Sequence, residues 1–574
     1  MYSDINIEKI ITKSNDVTVK VNGFFLHSKY DPKKEAIQFV ETNYKENCLH
    51  ILFGYGMGYI ADELITKLSD SEELIIIDPL FDLLNEGINL KINLIKDIGD
   101  DLFKAILNSK IEKFNRRVHL IQSPNYEKIT HNLYKETLVI INEQLRLNQI
   151  NENTVRYFAE DWQRNYLFNL FNAVTDKSLL EIKEKYNTPV VIASGGPSLT
   201  KQLKLLNEIK EKVIIIAAGS TINTLLSYNI NPDFVVSIDG SISNYNHFKN
   251  LNLKDTKYIY SLTSHYGIRE SFQDAAYIFN ISGKIEMNNH FEKLTKFEIP
   301  IIVGGGSVAN YAFTIANYIS KGPISIIGQD LAYTDNKTHA ENNKNFEIID
   351  EAYKKKKGIF FAEGYYKDQV MTDYVFLSMK ESFENLHKLV EKGRDIYNCT
   401  EGGINLKGFN NLPFKDFCSK YVNDLNEKPQ LESCIIDQNI EEKRISLKEQ
   451  MIKELNFYNK INKILEDNLK LLNENKSKTS FSRKILNKLN KNDDSLKKLL
   501  DNVAMKSIVD PITISIQNNF LPVSNEKPID SFNRVLNQNR ALYSQMIRAV
   551  DMTKGFTQDL IEKLLKEDGA KIYE

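Results

Sequence analysis

Apolar positions in this chain follow two patterns. Between about residues 186 and 425 they form short unbroken runs, each closed by glycine or small polar residues. Val190–Ala193 runs into Ser194-Gly195-Gly196-Pro197-Ser198, with Ser198 at the place of a helix cap. A helix over Thr200–Lys212, with Leu203, Leu206 and Ile209 on one side, leads to the run Val213–Ala218 and a second turn, Gly219-Ser220-Thr221. A helix over 222–228 precedes Phe234–Ile238, which ends at Asp239-Gly240-Ser241. Ile301-Ile302-Val303 enters Gly304-Gly305-Gly306-Ser307 and a helix to about Ser320. Ile324–Ile327 ends in Gly328-Gln329-Asp330-Leu331-Ala332-Tyr333, followed by Thr334 to His339. Such runs predict strands covered on both faces, as in a parallel sheet, with their turns on one edge if the crossovers are right-handed. From about 430 the pattern changes to helical spacing, as in Met451, Leu455, Ile461, Ile464 and Leu472, with a break at Asn473–Ser480. Further helices are predicted over 481–503, 531–552 and 556–567, with Pro511 and Pro522 bounding a looser connection.

The first 185 residues make a unit of their own. Leu49–Phe53, Gly54-Tyr55-Gly56-Met57-Gly58, a helix over Tyr59–Leu68 and a strand Leu74–Ile77 ending at Asp78 follow the order of a dinucleotide or methyl-donor site. The third glycine comes one residue early for the dinucleotide fingerprint. The predicted architecture is α/β. It comprises an N-terminal Rossmann-like domain (1–185), a central Rossmann-like parallel-sheet domain (186–425) and a C-terminal helical bundle (430–574).

Composition narrows the function. A length of 574 residues requires several cores. A net charge of -2 gives no electrostatic case for a nucleic-acid partner. The cysteines Cys48, Cys399, Cys418 and Cys434 show neither metal-ligand spacing nor a disulfide framework. The absence of a leader pattern and of long apolar runs gives the expectation of a cytoplasmic protein with no membrane partner.

Paired glycines before a helix start either cradle an anion such as a nucleotide phosphate or make a tight strand-to-helix connection. Several such turns in one sheet converge on one crevice. The series from Ser194 to Leu199, Pro232 to Gly240, Gly304 to Val308, Gly328 to Tyr333 with His339, and Asn398 to Gly403 resembles the motility-associated factor (Maf) family of flagellin glycosyltransferases. The core of that family is similar to sialyltransferases using cytidine-monophosphate (CMP) sugars.

The resemblance implies transfer of a nonulosonic acid of the pseudaminic or legionaminic type from a CMP-activated donor to Ser or Thr of flagellin. Flagellin would be the partner protein, and no cofactor or metal beyond the donor is required. It places the donor against Ser194, Gly195, Gly196, Ser198, Gly219, Ser220, Asp239, Gly305, Gly306, Ser307, Gln329 and Asp330. The asparagines that touch nucleotide in sialyltransferases are replaced here by Ser194-Gly195, Gly219-Ser220 and Asp239. Tyr333 falls near tyrosines that donate to phosphate. His339 is the leading base for the acceptor hydroxyl, with Asp335 the second candidate; a solvated loop histidine is the alternative. Asp239 and Asp330 could instead bind a divalent ion, although two separated carboxylates are weak evidence for a metal site. Two other readings stand beside this one: a pterin pyrophosphokinase using ATP and a metal, and a non-catalytic flagellin-binding protein.

Overall fold

The computed structural model describes residues 5–570 except 86–92, 100, 115–116, 275, 283–284, 297, 392, 432–438 and 523–525; Cys434 lies outside the described residues. The chain divides into two compact units, Met1–Thr154 and Val155–Glu574. One long helix, His131–Ala173, runs through the junction, so the boundary read at 185 falls inside the second unit.

The first unit holds an antiparallel meander of β1 (Ile7–Ile11), β2 (Val17–Val21) and β3 (Phe24–Phe25). A parallel sheet follows, of β4 (Leu49–Phe53), β5 (Glu73–Ile77), β6 (Asn93–Ile95) and β7 (Val118–Gln122) in the order β6-β5-β4-β7. The glycine loop after β4 is closed by protein groups. Asp78 Oδ2 accepts from Tyr55 N–H at 2.9 Å, Gly56 N–H at 3.3 Å and the Tyr126 hydroxyl at 2.8 Å. A Cβ on Gly54 would fall on the Tyr126 ring. The acid that the dinucleotide pattern assigns to ribose therefore fastens its own loop.

His27 also meets this loop, accepting the Met57 N–H at Nε2 (3.0 Å). Its ring is 3% exposed, and burial lowers its pKa to about 4. His50, fully buried on β4, is shifted the same way by the same cause. Because the folded values lie below the unfolded one, the unfolded chain binds protons first as pH falls. Stability complete above about pH 6.5 is thus lost toward pH 4, by about 3 kcal/mol for His27 alone. Thermal melts of the full chain from pH 7.5 to 4.5 should show this fall, and His27→Gln should flatten it. An equally steep loss in His27→Gln would exclude His27 as the cause.

The second unit contains β8 (Lys177–Ser178), β9 (Val190–Ala193), β10 (Ile214–Ala218), β11 (Phe234–Ser237), β12 (Lys257–Ser261), β13 (Tyr277–Ile281), β14 (Ile301–Ile302) and β15 (Ile324–Ile327). An antiparallel hairpin, β16 (Phe360–Glu363) with β17 (Gln369–Thr372), precedes β18 (Ile396–Asn398) and β19 (Asn410–Asn411). The sheet order is β14-β13-β12-β11-β10-β9-β15-β18-β19, with β8 beside β13 and every pairing parallel. Val190 and Ile192 enter one apolar core, Val191 and Ala193 the other, so β9 is buried on both faces.

C-terminal helices span Ile440–Glu474, Arg483–Leu500, Lys506–Asn519 and Pro528–Ala570. Leu447, Met451, Leu560 and Leu564 share the core that holds Phe171 and Val191. This shared core is why the helical region clusters with the central sheet. Two breaks expected from the sequence do not occur. Pro511 lies inside the third of these helices, and the fourth continues through Gly555, where a side chain would meet open space. Tertiary packing outweighs about 1 kcal/mol for a helical glycine.

Candidate active site at the topological switch

β9 leads outward through β10 to β14 on one side, while β15 and β18 lie on the other. The seam between β9 and β15 is therefore a topological switch point, where loops at the C-terminal strand ends part and leave a crevice. The first turn is pinned there. Gly196 N–H donates to Gly328 O (2.8 Å), and the Gly195 carbonyl accepts from Ala340 N–H (2.9 Å). A Cβ on Gly196 would sit 2.6 Å from the Gly328 carbonyl oxygen, and one on Gly195 would press on Asn343 and Thr221 at 3.2 and 3.3 Å. Gly196 is thus required by neighbouring backbone, while a side chain at Gly195 would only crowd two side-chain tips.

Ser198 does not cap the helix Leu199–Ile209. Its hydroxyl donates to Asp330 Oδ1 (2.7 Å) and its N–H to both carboxylate oxygens (3.2 Å each). Thr334 adds a third side-chain or backbone donor group to Asp330 (2.7 Å). Burial raises the Asp330 pKa, while these bonds pull it down. Asp330 therefore acts as a clasp across the seam.

A cleft of about 260 Å³ opens beside this clasp. Of the residues predicted from sequence, Ser194, Gly195, Gly196, Ser220, Asp239, Ser307, Gln329, Asp330 and His339 line it. Ser198, Gly219, Gly305, Gly306, Tyr333 and Asp335 are not part of the lining. Gly219 turns the chain at φ +48° behind Ser220. A side chain on Gly305 would strike Ser382, so that glycine serves packing. Ser307 caps the helix Val308–Ile319 through Asn310 N–H (3.3 Å). Ser194 Oγ and Gln329 Oε1, in residues that line the cleft, are buried with no hydrogen-bond partner among the described residues.

Tyr333 is not placed as expected. It is 3% exposed, its hydroxyl donates to Asp373 (2.8 Å), and burial with that carboxylate pushes its pKa far up. Asp335 is exposed at φ +55° and lies 3.8 Å from Lys201 Nζ. His339 reaches the cleft. Its Nδ1 lies 3.1 Å from the Asn345 carbonyl, which can only accept, so the neutral ring carries its proton there and leaves Nε2 basic. Burial lowers its pKa, opposed by the Asn345 bond and by Glu347.

Sequence reasoning missed Asn244, His247, Thr338 and Asn345, which also line the cleft. Asn244 donates to Ser237 Oγ (3.0 Å) and Asp239 O (2.8 Å), fixing the turn after β11. His247 is buried with a lowered pKa, and its Nε2 lies 3.2 Å from Asn345 Nδ2. The polar string Ser241–His247 after Asp239 was the available signal.

The solved structure of a Maf glycosyltransferase from Magnetospirillum magneticum AMB-1 aligns with 97% of this chain and 91% of its own, at a TM-score of 0.50 and 12% identity. The chain has the Maf fold. A family model described as 6-hydroxymethylpterin diphosphokinase MptE-like matches residues 164–336. No curated protein matches. The Maf fold extends over nearly the whole chain, whereas the pterin-kinase match is confined to part of the second unit. Among the described residues, no helix is long and apolar enough to cross a membrane.

Proposed function

We propose that the protein is a glycosyltransferase carrying a nonulosonic acid from a CMP-activated donor to Ser or Thr hydroxyls of flagellin in the cytoplasm. One observation carries this reading: turns after β9, β10, β11 and β15 meet at one cleft with His339, whose Nδ1 proton is engaged and whose Nε2 is free to accept. The reaction breaks the anomeric carbon–oxygen bond through an oxocarbenium-like state, leaving charge on the CMP phosphate. Hydroxyls of Ser194 and Ser220 and the Gly195 N–H are the donors for that charge, since the Gly196 and Ser198 N–H groups are taken by Gly328 and Asp330 and the Tyr333 hydroxyl is held by Asp373. His339 Nε2 takes the proton of the attacking hydroxyl as the carbon–oxygen bond forms.

The partial match to pterin diphosphokinases favours a second reading, a nucleotide-dependent pyrophosphoryl transfer. Two measurements decide between them. Flagellin incubated with the protein and CMP-pseudaminic or CMP-legionaminic acid should gain the mass of the sugar. CMP should raise the melting temperature of the protein, and ATP with magnesium should not. No mass gain with either donor, together with stabilisation by ATP and magnesium, would overturn the proposal in favour of the second reading.

A further inference from the structure

The segment 338–347 carries His339 into the cleft, and a buried side chain holds it in place. Asn343 is 5% exposed, although the loop around it is solvated. Its Nδ2 donates to the Ser220 carbonyl at the end of β10 (3.3 Å), and its Oδ1 accepts the Asn345 N–H (2.9 Å). The Asn345 carbonyl then takes two donors, His339 Nδ1 (3.1 Å) and the Thr338 hydroxyl (2.9 Å). The same Asn343 packs where a side chain on Gly195 would be, 3.2 Å from the Cβ position. One amide therefore touches both glycine turns of the cleft and orients the carbonyl that chooses the histidine tautomer.

We propose that Asn343 is a positioning residue: it links the turn after β10 to His339 and holds that ring with Nδ1 protonated and Nε2 facing its task as base. The proposal rests on the transferase reading for what the base does, but the linkage itself concerns only this chain. A bridge of this kind also couples the second turn to the base, so displacement of Ser220 reaches His339 through three hydrogen bonds. The titratable and charged groups facing the ring are Glu347 and His247, with Lys344 and Asp239 acting on His247 from beyond it.

The test uses the full chain labelled with ¹⁵N and ¹³C in its histidine rings, with His339 assigned by comparison with His339→Gln. Ring nitrogen shifts should show the Nδ1-protonated tautomer for His339 in the native protein. Asn343→Ala should mix the tautomers and move the midpoint of the His339 titration down, since the Asn345 bond is what opposes the lowering by burial. In the transfer assay the same variant should lose about a hundredfold in kcat, the scale set by a misplacement near 1 Å, with donor KM within threefold. Asn343→Asp keeps the acceptor for Asn345 N–H and loses the donor to Ser220, so it should preserve the tautomer better than alanine; it also serves if alanine prevents folding. An unchanged tautomer and midpoint in the folded variants would overturn the proposal. Altered tautomers in a protein that transfers no sugar would instead uphold the linkage and sink the transferase reading.

Discussion

Replacing His339 by alanine is expected to slow sugar transfer a hundredfold to ten-thousandfold, the usual contribution of a positioned base, while CMP still raises the melting temperature. The ring sits where it can act without being part of the first turn, so donor capture does not depend on it. Its lowered pKa gives the sign of the pH effect. The neutral form persists below the ordinary imidazole range, so kcat/KM should stay on its plateau until the pH falls below about 6.5 and then decline. A transfer rate within threefold of the native one in His339→Ala would remove it as the base. Asp335 is poorly placed to succeed it, being exposed, paired with Lys201 and outside the lining.

Asp330→Ala should destabilise the second unit by about 1–3 kcal/mol, the usual cost of leaving buried donors without an acceptor. The Ser198 N–H, the Ser198 hydroxyl and the Thr334 hydroxyl would all lose their acceptor. Asn at this position retains one acceptor oxygen and should cost less. Denaturant unfolding followed by circular dichroism checks both variants; a loss below 1 kcal/mol for alanine would mean that water or rearrangement satisfies those donors. The expectation differs from that for a metal ligand, whose removal would matter chiefly with the ion present. In the structure Asp330 binds protein.

The legibility of the chain tracks burial. β9, β10, β11 and β15 were visible because both of their faces are covered, which leaves runs of Val, Ile and Ala with few interruptions. β12 and β13 were not, since Lys257, Ser261 and Asn280 break up those runs; Lys257 is accommodated there by pairing with Asp274. The hairpin of β16 and β17 left no strand signal because its strands are mostly half-exposed. At the site, the turns were legible from glycine and small residues, but their roles were not. Sequence shows that Ser198, Asp330 and Tyr333 are polar and near strand ends; only the fold shows that the first two bond each other and that the third turns to Asp373. Asn343 carried no spacing signal, since its bond to Ser220 spans 123 residues of chain, and Asn345 matters only through the fold of its own loop around His339.

The bonds joining Ser198 to Asp330 cross 132 residues of sequence, and the loop after β18 is packed against them from behind. A side chain on Gly402 would collide with Ser198, and one on Gly403 would collide with the Asp330 backbone. The two wings of the sheet are therefore riveted together at the place where nucleotide enzymes of this architecture seat their ligand. The floor of the cleft is thus set by contacts within the protein itself, before anything enters it.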